Sequence, residues 1–175
     1  MPTWKQHFIE QADYQHWADD ILFTAIDHLT PEAIEGDAGL FFKSIHHTVD
    51  HILMVSRVWF ARLRGEALNV DWRVIHHPDW RELKMALRRE VRQHQAWLEA
   101  QPEDWFEGEA EFTASDGKPR RMSVHDALTH VFGHYQHHRG QVSAACTRLG
   151  APCPEMDFVY YRRAVEKLLN EVGNA

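Results

Sequence analysis

Cysteine is scarce: Cys146 and Cys153 are the only two in 175 residues. Two cysteines do not make a disulfide framework, and both are expected to be reduced thiols. Long hydrophobic runs are missing, with no stretch near the ~18 apolar residues of a membrane span. The opening MPTWKQHFIEQADYQHW lacks the apolar core of a signal peptide, so the expected location is the cytoplasm. Basic charge is in deficit, 19 Lys and Arg against 26 Asp and Glu, for a net −7. That argues against broad nucleic-acid binding, which draws on a basic face. Low-complexity tracts, internal repeats and linkers are also missing, as are paired carboxylates or a Ser/His/Asp pattern for a metal-free mechanism. With 44% hydrophobic and 26% charged residues, one globular domain over 1–175 is expected.

Histidine is abundant, at 14 residues, and not gathered in a terminal run. Its placement follows from the helices. Phe8, Ala12, Ala18, Ile21, Leu22, Ala25, Ile26 and Leu29 predict a first helix over about 4–29, with Thr3 as its N-cap and Thr30-Pro31 as its end. After the connector PEAIEGDAGLFF, Ile45, Val49, Ile52, Val55, Trp59 and Leu63 predict a second helix from about Phe42 to Arg64, closed by Gly65. A third opens at Pro78-Asp79, with Glu82 completing a capping-box spacing and Leu83, Leu87, Val91 and Leu98 on one face. EAEFTASDGKPRRMSV reads as a short hairpin turning at Asp116-Gly117, which must pack on the bundle or a partner because a lone hairpin is marginal. Ser123 and Asp126 open a fourth helix that runs to Leu149, before Gly150 and Pro152. A fifth, from about Asp157 to Val172, carries Phe158, Tyr161, Val165 and Leu168. The predicted class is all-α: a four-helix bundle with an accessory C-terminal helix and a hairpin insertion.

The stretch HVFGHYQHHRGQV places four histidines within nine residues. Residues four apart share a helix face. His130 and His134, His134 and His138, and His47 and His51 all meet that condition. Positions 130 and 138 are ~12 Å apart in rise, too far to share one ion. His138 falls in the apolar stripe between Tyr135 and Val142, and His134 is one turn back. A buried imidazole needs a partner for both ring nitrogens, and a metal on one with a polar group on the other provides it. The competing role for His138 is a core histidine bonded to a neighbour. A third ligand could come from His46, His47 or His51, and periodicity does not choose among them. Three neutral imidazoles leave a divalent ion with open positions, suited to zinc, nickel or iron rather than magnesium or calcium. His137 faces away from the pair. Cys146 reads as a small core residue and Cys153, between two prolines, as an exposed one. Trp59 reads as packing. Arg120-Arg121 and Arg162-Arg163 read as solvated charges, and His76-His77 as a loop pair.

THVFGHYQHHRGQVSAACTRLGAPCPEMDF resembles the end of the metal-binding core of the DinB/YfiT-like family. FFKSIHHTVDHILMVSRVWFARLRG resembles its second helix, where a Thr-x-Asn-His-type motif precedes a Trp eight residues later; here Asp50 stands for the commoner Asn. YQHWADDILFTAIDHL resembles its first helix. The similarity covers most of the chain and concerns the damage-inducible metal-binding family, not the DNA polymerase of similar name. It implies one divalent transition-metal ion on His51, His134 and His138. It leaves His47 and His130 outside the ligand set and gives Arg139 and Gln141 structural roles. It also implies homodimers and thiol-dependent S-transferase chemistry, in which a small-molecule thiol attacks an electrophilic substrate. A hydrolase and a non-catalytic metal-binding stress-response protein are the alternatives.

Overall fold

The computed structural model describes residues 2–173, so the outermost ends of the expected 1–175 domain lie outside it. Six α-helices and a hairpin follow one another: α1 (Trp4–Ile26), α2 (Pro31–Glu35), α3 (Ile45–Leu63), α4 (Trp80–Ala100), a 3-10 turn (Glu103–Glu107), β1 (Glu109–Thr113), β2 (Pro119–Ser123), α5 (Val124–Arg148) and α6 (Phe158–Gly173). The chain is all-α, as predicted. In the bundle α1 packs on α4 and α5, and α3 packs on the same two helices, so α1 and α3 are diagonal. The accessory α6 lies against α1.

Local chemistry sets the helix ends. Thr3 and Gln6 form a reciprocal capping box. Asp79 and Ser123 each accept from the backbone N–H three residues on. Gly65 and Gly150 adopt the left-handed conformation past the ends of α3 and α5, where a side chain would be strained. The connector differs from expectation. α1 ends at Ile26 with Asp27 as its C-cap, short of the expected Leu29, and Thr30-Pro31 instead starts the five-residue α2, with Thr30 as its N-cap and Pro31 in its first turn. The second long helix begins at Ile45, not Phe42. Lys43 sits at φ 68°, which interrupts the helix, and the Ser44 hydroxyl accepts from His47 N–H at 3.0 Å. Ser44 is buried, so no water replaces that bond. Ser44→Ala is expected to destabilise the fold by about 1 kcal/mol, read as a lower urea midpoint at unchanged slope.

Phe8, Leu22, Ile45, Leu53, Phe60, Leu83, Leu98, Leu128 and Val142 belong to one continuous core spanning the four long helices. Tyr161 of α6 joins Tyr14 and Ala18 in a smaller cluster. The strands pair antiparallel from Glu109 with Ser123 to Thr113 with Pro119. As its marginal stability required, the hairpin is held by the bundle: Phe112 packs edge-on against Trp59 of α3, and Ala110 is buried. Among the described residues, no helix is long and apolar enough to cross a membrane.

Candidate metal centre

Helix α3 brings His51, and α5 brings His134 and His138, to a common point. One ring nitrogen from each lies within 4.8 Å of the other two. His138 is 7% exposed and the other two are half-buried, so the cluster sits at the edge of the bundle rather than at its centre. The Nε2 atoms of His51 and His134 are 3.2 Å apart. Two nitrogens bound to a tetrahedral ion at ~2.0–2.1 Å are separated by about 3.3 Å. The pair thus already stands at a chelating distance.

The electrostatics favour neutral rings. Burial, then the neighbouring His138 and His47, hold His51 down at about 4, against a smaller opposing pull from Asp50. Burial, His138 and His51 take His134 to about 3. Burial also lowers His138, while its bond to Gln141 opposes the shift. Neutral imidazole is the form that binds metal. Tautomers follow from the partners. His138 Nδ1–H donates to Gln141 Oε1 at 2.8 Å, while the Gln141 amide donates to His137 Nε2 at 3.1 Å. His138 Nε2 is then left with its lone pair free, as a ligand needs. The donor set fits a borderline divalent ion.

Gln141 therefore orients a site histidine. Arg139 reaches the other way, across the bundle, donating to Gln15 Oε1 at 2.8 Å and Tyr14 Oη at 2.6 Å on α1. It is buried, and these bonds fix the rotation of α5 that turns His134 and His138 toward α3. His130 is exposed at one side and packs its ring on Trp59, and this partial desolvation and the charge of Arg62 lower its pKa. His47 sits beside Phe42. Neither belongs to the cluster of three. His46 points elsewhere, donating to the His77 carbonyl at 2.6 Å. Cys146 is buried, as expected. Cys153 is half-buried rather than exposed, and its hydrogen bond with Cys146 lowers its pKa.

Three side chains were not anticipated from the sequence. Phe42 stacks on His51 with centroids 4.0 Å apart, which is possible because it precedes the helix instead of forming its first turn. Trp72, from the loop after α3, packs edge-on against His51 at 5.7 Å. Asp50 is 1% exposed and fastens that loop. Its carboxylate accepts from the backbone N–H groups of His76 and His77, at 2.8 and 3.1 Å, and from His77 Nδ1 at 2.7 Å. Asn in its place would offer one carbonyl oxygen for these three donors. The signal for this clamp was the polar Asp50 on an otherwise buried helix face.

Fold and site together define a class: a four-helix bundle with three facing histidines able to hold one metal ion. The sequence model of the DinB family matches residues 1–169, and the chain belongs to that family. A comparison with curated proteins finds no match.

Proposed function

We propose that His51, His134 and His138 hold one divalent transition-metal ion, and that the protein is a metal-dependent enzyme of the thiol S-transferase type. The observation that carries this is the convergence of three neutral, half-buried to buried imidazoles at the edge of the bundle. When bound, such an ion supplies a Lewis-acid centre that lowers the pKa of a thiol or of water. The chain's own residues do the rest. Gln141 holds His138 in the right tautomer, and Phe42 and Trp72 wall His51 with apolar surface that excludes water from one side. The partners would be a small-molecule thiol and an electrophile. A homodimer is supported by α6, which exposes Val159, Leu168, Leu169 and Val172.

Elemental analysis of tag-free protein tests the metal. About one equivalent of zinc, nickel or iron is expected in the wild type, with most of it lost in His138→Ala. A screen of thiols against electrophiles on the loaded protein then tests the reaction. No metal in either protein after anaerobic reconstitution would sink the proposal. Stoichiometric metal with no acceleration of any thiol or ester reaction would leave a non-catalytic metal-binding protein.

A further inference from the structure

A cleft of about 1040 Å³ opens between the C-terminal end of α3, the loop that follows it and the hairpin. Its charged lining is largely self-neutralised. Arg120 pairs with Asp116, Arg121 with Glu109, and Glu66 with Arg64. Arg62 is different. Its guanidinium packs 4.7 Å from the Trp59 ring centroid and 4.8 Å from that of Phe112. Among the described residues no carboxylate lies within 4.0 Å of it and no oxygen accepts from it, yet none of its nitrogens is sealed from solvent. Two aromatic faces thus fix a planar cation while its donors open into the cleft. Guanidinium retains its charge in proteins and presents a fork that matches a carboxylate.

The cleft adjoins the histidine cluster. Trp72 lines it and packs on His51. His51, Val55, Val58 and Arg62 step along one face of α3, eleven residues from first to last, which is a rise of roughly 16 Å.

We propose that this cleft binds an elongated substrate by a terminal carboxylate, with Arg62 as the receptor and the reacting end of the molecule at the three histidines. The placement of the reacting end rests on the metal-site proposal above; the carboxylate receptor does not. Arg62 selects for anionic molecules on the order of 15 Å long and passes over neutral ones of equal length. The hairpin contributes Phe112 to the shelf that holds Arg62.

The test uses 11-mercaptoundecanoate and its primary amide as probes, titrated calorimetrically into zinc-supplemented full-length wild type, Arg62→Gln, Arg62→Lys and His134→Ala. The carboxylate is expected to bind about tenfold tighter than the amide to the wild type, a difference of about 1.4 kcal/mol. Arg62→Gln should bring the two together, with unchanged zinc content and circular dichroism. Arg62→Lys should recover part of the preference. His134→Ala should keep the carboxylate preference, because its Arg62 is intact, so a failure of the metal site appears separately as lost zinc. Equal affinity of the two probes for wild type, a preference that survives in Arg62→Gln, or no binding of either at millimolar concentration would each overturn the proposal.

Discussion

Replacing His134 with alanine is expected to leave the chain folded and to abolish its stabilisation by zinc. The side chain sits at the edge of the bundle, and its one polar partner is another histidine, at 3.2 Å. Burial and four neighbouring imidazoles already disfavour its charged form, so truncation costs the metal-free protein little. The holo-protein behaves differently. An ion present at 100 times its dissociation constant stabilises the state that binds it by about 2.7 kcal/mol. For a chain of 175 residues this corresponds to a rise in melting temperature of roughly 5–10 °C. With one of three imidazoles removed, the shift should fall close to zero at the same zinc concentration. His28→Ala, an exposed histidine outside the cluster, should keep the full shift. Differential scanning calorimetry with and without zinc separates these outcomes. A His134→Ala protein that keeps the wild-type shift would place the ion elsewhere.

The part of this centre on α5 was legible in the sequence because one helix carries it. The i,i+4 spacing of His134 and His138, and the apolar neighbours of His138, are local properties. The third histidine was not legible from spacing: His46, His47 and His51 all lie within the first two turns of α3, and the resemblance to a family singled out His51. The structure shows the physical reason for the difference. His46 turns to the His77 carbonyl, a contact 31 residues away that no periodicity encodes. The apolar stripe of the second helix begins at Ile45, and its start is expected only at about Phe42; the left-handed Lys43 and the Ser44 cap fix it at Ile45. Trp72, and His77 on Asp50, come from the segment between α3 and α4, whose path is set by tertiary hydrogen bonds. The bundle itself followed from amphipathic periodicity, and its caps from residue types with known preferences. Arg139 was expected to have a structural role, across the bundle or at a dimer interface; its partners Gln15 and Tyr14 on α1 could be named only once the two helices were packed.

Those partners lead to a second large effect, at a residue away from the histidines. Asp19→Asn is expected to stabilise the protein at neutral and alkaline pH and to remove much of the pH dependence of its stability. Asp19 is 4% exposed. One carboxylate oxygen accepts from Gln15 Nε2 at 2.7 Å; the other has no partner. Burial raises its pKa from 3.8 to about 7, against the opposing charge of Arg139 and the bond from Gln15. The sign follows from proton linkage. Below about pH 4 the carboxyl is protonated whether the chain is folded or not, and its contribution is fully present. As pH rises toward 7 the unfolded chain releases the proton while the folded one retains it, so stability is lost. Above 7 the loss is complete and on the order of 4 kcal/mol, at 1.36 kcal/mol per pKa unit. Asparagine keeps an oxygen for Gln15 and never ionises. Urea unfolding of both proteins between pH 4 and pH 8 should give similar stabilities at the acid end and a widening advantage for Asp19→Asn above it. Parallel curves would show that the carboxylate is solvated or compensated in the folded state. The pairing of Asp19 with Gln15, and of Gln15 with Arg139, gives the cost a structural meaning. Arg139 brings a permanent charge into the bundle, and its field partly opposes the rise that burial imposes on the Asp19 carboxyl. In the asparagine variant Arg139 keeps its bonds to Gln15 and Tyr14, so zinc binding should persist even as the pH profile flattens.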